Sequence, residues 1–221
     1  MSWTLLDNVT IRNHLRRHFL IDVPTSQKRI ALSFDDGPSP RNTPALLSVL
    51  ERQRVPATFF LLGLRARQFP DLAAQLVAAG HEIGNHTDMH LPLPFLSRAR
   101  IDREIRRSIE SIEASAGVRP NYCRLPFGWY SRRVLQALHG HGQRPVLGNI
   151  YPRDSRRPGR DRIVNRVLDR IAPGAIIILH DGGWHPRVDR GQTVDAVDAL
   201  IDRLGAQGYE FRTLGALEAG V

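Results

Sequence analysis

From about Lys28 onward, short apolar runs alternate with longer stretches in which apolar residues recur every three or four positions. The short runs, residues 30–34, 58–62, 82–85, 122–125, 146–149, 175–180 and 209–213, predict strands. The longer ones, 43–52, 70–79, 97–116, 160–171 and 192–205, predict helices. The clearest is 97–116, where Ile101, Ile105, Ile109 and Ile112 share one face. Gly80, Gly117, Gly205 and Gly208 follow helical stretches and suit left-handed helix ends.

Alternating strand and helix implies a parallel sheet covered by helices, either an open doubly wound sheet or a barrel. The positions of the polar residues decide between them. Asp35 and Asp36 follow one strand, His86 and His90 another, Arg124 a third, Asp154 a fourth, and His180 ends a fifth. In a β/α barrel the strand C-termini form one ring, so residues from five strands can meet in one pocket. An open sheet would spread them along an edge. The expectation is an α/β fold, a distorted (β/α) barrel of about seven parallel strands. Residues 1–27 would form a helix or arm packed against a single domain spanning 28–221.

Two segments carry the chemistry. Ser33-Phe34-Asp35-Asp36-Gly37-Pro38 sets two adjacent carboxylates at a strand end, and His86-Thr87-Asp88-Met89-His90 spaces two imidazoles by four. One carboxylate with two histidines makes a three-ligand shell that leaves positions open for water and substrate, as a catalytic metal requires. The second carboxylate then remains for base chemistry. An Asp-Asp-Gly-Pro string also suits a surface turn, but the apolar strand before it and the histidine pair argue for the metal reading. A metal-dependent hydrolase is expected.

Composition adds few constraints. The 221 residues are 42% hydrophobic and 24% charged, enough for one well-buried domain. The formal charge of +9 is carried by arginine, since Lys28 is the only lysine. Arginines are scattered along the chain and not gathered into a basic stripe with interleaved aromatics, which argues against a nucleic-acid partner. Cys123 is alone, so no internal disulfide forms and no cysteine cluster holds a metal; within an apolar strand it reads as a small buried hydrophobe. No stretch is apolar enough to span a bilayer. Residues 1–24 lack a basic start followed by a continuous apolar core, so a cytoplasmic location is expected.

Taken in order, residues 33–38, 86–90, Arg124-Leu125-Pro126-Phe127, the surroundings of Asp154, and Leu179-His180 resemble the motifs of the polysaccharide deacetylase family. That family, carbohydrate esterase family 4, carries the NodB-homology domain shared by chitooligosaccharide, chitin and peptidoglycan deacetylases. The resemblance implies a distorted barrel and assigns Asp36, His86 and His90 to the metal and Asp35 to the general base. It makes Arg124 the group that orients Asp35, and His180 the acid that protonates the leaving amine. Phe127 stands where the family usually has tyrosine; it keeps the ring, and its backbone N–H would help hold the oxyanion. Phe127, Trp129 and Tyr130 offer flat surfaces for a sugar, and Trp184 with His185 would line the rim.

The family commonly supports the acid from an Asp-Trp pair. The matching stretch here, Asn149-Ile150-Tyr151-Pro152-Arg153-Asp154-Ser155, supplies Asp154 but no tryptophan. Asp154 and Asp181 are both candidates to pair with His180. His81, His139, His141 and His185 receive no chemistry. The implied activity removes an acetyl group from an N-acetylated amino sugar or a related small molecule, with zinc as the expected ion and cobalt, nickel or manganese also accepted. The alternatives are a hydrolase of similar fold acting on another amide or on an O-acetyl ester, and a non-catalytic sugar-binding relative.

Overall fold

A computed structural model describes residues 9–183 and 185–220. Its strands are β1 Arg29–Gly37, β2 Thr58–Leu61, β3 Glu82–Asn85, β4 Tyr122–Arg124, β5 Arg144–Val146, β6 Ile176–His180 and β7 Glu210–Arg212. The helices are α1 Val9–Arg16, α2 Thr43–Gln53, α3 Gly63–Gln68, α4 Pro70–Ala78, α5 Arg98–Ala116, α6 Arg132–Gly140, α7 Arg160–Leu168, α8 Gly191–Ala206 and α9 Leu214–Ala219. All strand pairings are parallel, in the order β5-β4-β3-β2-β1-β6. β7 does not extend this series. It pairs with Arg29–Ala31 at the start of β1, below the stretch Ser33–Gly37 that pairs with β2.

The sheet curls into a distorted barrel that is closed by irregular segments. The Leu20 N–H donates to Pro145 O, Leu20 O accepts from Leu147 N–H, and the Val23 N–H reaches Gly174 O. Ile150 bridges to Ile177 on β6. The segment ahead of β1 thus fills the gap between β5 and β6, with Leu15, Phe19 and Ile21 buried against α5 and α6.

Strand alternation sorts the side chains. Ile30, Leu32 and Phe34 of β1 pack outward, as do Ile177 and Leu179 of β6, into the core shared with α2, α7 and α8. Ala31 and Ile176 face the barrel interior with Phe60, Tyr122 and Val146. Period two then carries Asp35, Arg124 and His180 to the same interior side at the strand C-termini.

The helix signal at 97–116 becomes α5, opened by Ser97, whose hydroxyl accepts the Arg100 N–H, and closed by Gly117 at φ +71°. Three helices, α3, α6 and α9, arise where no helix was expected; α6 and α9 nonetheless start at side-chain caps, Ser131 and Thr213. The strand expected at 146–149 lies earlier, as β5. Gly148 turns left-handed (φ +81°) and sends the chain across to β6. Gly205 lies inside α8, and Gly208 takes the left-handed position after it. Among the described residues no helix is long and apolar enough to cross a membrane.

Candidate metal centre and active-site cavity

The two aspartates point apart because β1 changes register between Asp35 and Gly37. Such a bulge re-aims one side chain while the strand continues. Asp36 takes φ +74°, whereas Asp35 stays in the ladder, in register with His180 of β6. Close passage of the loop after β6 needs a residue without a side chain. A Cβ at Gly182 would lie 2.1 Å from Asp36 O.

Asp36 Oδ1 lies 3.4 Å from His86 Nε2 and 3.4 Å from His90 Nε2. The ligand atoms of these three residues all lie within 4.8 Å of one another. Two atoms each about 2.0–2.1 Å from a tetrahedral ion stand about 3.3–3.4 Å apart, so the observed spacing is that of a coordination edge. Asp36 Oδ1 is also buried without a hydrogen-bond partner, which an ion would remedy. The donor set, one carboxylate and two imidazoles, suits a divalent cation. His86 Nδ1 meets Arg124 O at 2.7 Å, and donation to that carbonyl leaves the Nε2 lone pair facing Asp36.

The electrostatics of the cluster are consistent with this use. Burial would raise the Asp36 carboxyl, but the facing His86, together with His180 and His90, holds it below the usual carboxylate range. Burial and the neighbouring His86 push His90 down to about 4, leaving a neutral imidazole at physiological pH. Burial also lowers His86, yet Asp35 and Asp36 more than offset it and raise the group.

Asp35 Oδ1 accepts from Arg124 Nη1 at 2.6 Å, with both side chains almost fully buried. The guanidinium also lies over the Phe60 ring, 4.1 Å from its centroid. One residue thus serves both halves of the site, its side chain on Asp35 and its carbonyl on His86.

On the opposite wall, His180 Nδ1 meets Asp154 Oδ1 at 2.8 Å. Asp154 Oδ2 accepts the His180 N–H and the Thr193 hydroxyl. Burial pulls the imidazolium down, but Asp154, helped by Asp36 and Asp35, pushes it up to about 9. The choice between Asp154 and Asp181 falls to Asp154. Asp181 faces away, accepting from Thr43, and its burial pushes it up to about 7.

These groups share one cavity of about 460 Å³, lined by Asp35, Asp36, His86, His90, Arg124 and His180 and walled by Phe127, Leu147, Tyr151 and Ile178. Phe127 is half exposed and left-handed (φ +61°), with its ring edge-on to His90 at 4.7 Å. Trp129 and Tyr130 line a neighbouring groove with Pro94 and Phe95. Trp129 stacks obliquely on Phe127, and Tyr130 turns its ring against Phe19. Trp184 lies outside the described residues. His185 sits in an exposed turn, its Nδ1 accepting the Arg187 N–H.

Two polar cavity residues, Tyr151 and Arg190, escaped the sequence reading. Tyr151 forms part of the wall, and its hydroxyl bonds Ser155 at 2.6 Å. Buried Arg190 ties Gly182 O to Ser155 O through Nε and Nη1. Tyr151 lay within the stretch aligned on Asp154 and could have been found there; Arg190, one arginine among many, carried no signal.

The chain is similar to known deacetylases in sequence and in fold. The family model described as polysaccharide deacetylase matches residues 22–146. A chitooligosaccharide deacetylase of Rhizobium leguminosarum bv. trifolii is 39% identical over 90% of this chain and 98% of its own length. A peptidoglycan-N-acetylglucosamine deacetylase of Bacillus cereus is 37% identical over 89% and 91%, respectively. Among solved structures, a peptidoglycan N-acetylglucosamine deacetylase crystallised with an N-hydroxybenzamide superposes with a TM-score of 0.84 at 31% identity, covering 89% of this chain and 91% of that one.

Proposed function

The chain belongs to the polysaccharide deacetylase family, and on that premise we propose how its cavity removes the acetyl group from an N-acetylated amino sugar. The enzyme is a hydrolase of amide C–N bonds, yielding acetate and a free amine. The observation that carries the reading is the meeting of three units in one cavity: the Asp36–His86–His90 cluster, the Arg124-held Asp35, and the Asp154-held His180.

In this proposal Asp36, His86 and His90 hold a divalent cation, and zinc suits the donor set best, with cobalt, nickel or manganese as substitutes. Such an ion, when bound, supplies Lewis-acid polarisation of the acyl oxygen and acidifies water. Asp35 takes the proton of the attacking water as its oxygen bonds the acyl carbon. Arg124 keeps that carboxylate aimed and ionised through a charge-assisted hydrogen bond. The Phe127 N–H contributes to holding the oxyanion. As the C–N bond breaks, His180 delivers its proton to the departing nitrogen, and Asp154 keeps the imidazole charged until then.

An amide needs this last step, because an amine leaves as a neutral molecule only when protonated. A histidine raised to about 9 is suited to that task at neutral pH. Phe127 and Trp129 give the sugar its apolar platform, and Tyr130 supports it from behind.

The test is acetate release from N-acetylglucosamine oligomers, set against acetyl esters, before and after chelation and zinc addition. Zinc-restored release from the oligomers supports the proposal. Preference for the esters would shift it to O-acetyl groups. Full turnover in chelator, with metal content verified as negligible, would sink the metal mechanism.

A further inference from the structure

Segment 86–90 bends into the left-handed region at Thr87 (φ +70°) and at His90 (φ +56°). Residues other than glycine hold this conformation when their surroundings impose it. Around the first bend the surroundings are plain. Thr87 O accepts from the Gly63 N–H and from the Ser108 hydroxyl, and Asp88 O accepts from the Leu64 N–H, each at 3.0 Å. The Asp88 carboxylate pairs with Arg67 at 2.6 Å and lies 3.4 Å from Arg107. A Cβ at Gly63 would sit 2.6 Å from Asp88 Oδ1, so glycine there permits the approach.

The second bend, into His90, has a separate anchor. Glu104 Oε2 accepts the Met89 N–H at 3.0 Å. Glu104 lies on the buried face of α5 and is only 2% exposed, and its other oxygen stands 3.6 Å from Arg100 Nε. Burying a carboxylate under an acidic neighbour such as Asp88 is unfavourable unless it holds something. Here it holds the peptide that precedes a ligand of the cluster.

We propose that Glu104 is a positioning residue for His90: by anchoring the Met89 N–H it fixes the left-handed backbone of His90 and thereby the affinity of the Asp36–His86–His90 cluster for a divalent cation. The inference rests on the metal reading given above. It adds a residue on α5 that touches neither substrate nor ion. Partners that orient ligands typically change metal affinity by about 10–100-fold when removed.

The measurement is zinc affinity of zinc-stripped protein, by titration against a chromogenic chelator, for wild type, Glu104→Met, Glu104→Gln and Glu110→Ala. Glu104→Met keeps the bulk and removes the acceptor, so affinity should fall by about 10–100-fold. Glu104→Gln keeps an acceptor oxygen and should remain close to wild type. Glu110→Ala, on the exposed face of α5, should leave affinity unchanged. Wild-type affinity in Glu104→Met, or equal weakening in Glu104→Gln, would overturn the proposal. Hydrogen exchange of the wild-type Met89 amide tests the anchor without any variant; protection supports it, and exchange at the rate of an open loop contradicts it. A wild-type protein that takes up no zinc would overturn the metal reading itself.

Discussion

Asp154→Asn removes a fully buried charge from the pair with His180 while keeping its shape. The ordinary histidine value is 6.5, and His180 stands at about 9 because Asp154 outweighs the burial that opposes it. A hydrogen bond to a charged group contributes about 1.5–3 kcal/mol, which at 1.36 kcal/mol per unit is about one to two pH units. The sign follows from the role. A general acid works while protonated, so activity is present below its folded value and lost as pH rises through it. Asp154→Asn should therefore pull the alkaline limb of the kcat profile down by about one to two units. On the alkaline side turnover falls about ten- to a hundredfold, and on the acid side it changes little. An ion at Asp36 cancels part of the field felt by His180, but equally in both proteins, so the difference between profiles is the quantity to read. The assay is acetate release from an N-acetylglucosamine oligomer at saturating zinc, from pH 5 to 10. An alkaline limb at the same pH in both proteins would refute His180–Asp154 as the acid pair.

Two further substitutions probe the walls. Arg124→Met leaves Asp35 buried beside Phe60 without its cation, and breaking such a pair should destabilise the protein by about 3–5 kcal/mol in denaturant unfolding; a loss below about 1 kcal/mol, the range of surface pairs, would contradict the buried reading. Trp129→Ala removes a ring that is 41% exposed beside the cavity, and should raise KM for oligomers while leaving turnover of a monomeric substrate unchanged. Equal effects on both would assign Trp129 to packing alone.

The sequence carried the parts of this site that depend on strand alternation and on short spacings. Ile30, Leu32 and Phe34 mark one face of β1, and the other face leads through Ala31 to Asp35. The four-residue spacing of His86 and His90 survives in a loop rather than a helix, where two left-handed residues bring both rings to Asp36. What stayed hidden depends on chain paths between elements. No local pattern shows that residues 20–23 seal the barrel, that Gly148 sends the chain from β5 to β6, or that Arg190 ties the loop after β6 to Ser155. The ambiguity between Asp154 and Asp181 was of the same kind. Both flank His180 in space or in sequence, and only the fold turns Asp181 towards Thr43 and Asp154 towards the imidazole.

The central claim is that two adjacent aspartates, split by a bulge in β1, do different work. Zinc content and turnover of purified Asp35→Asn and Asp36→Ala test it directly. Asp35→Asn should bind zinc near one equivalent yet release acetate very slowly, because an amide cannot take the proton of the attacking water. Asp36→Ala should lose zinc and regain part of its turnover at high zinc concentration. Equal loss of zinc in both variants would mean that the carboxylates bind the ion together, and would contradict the assignment of Asp35 as the base.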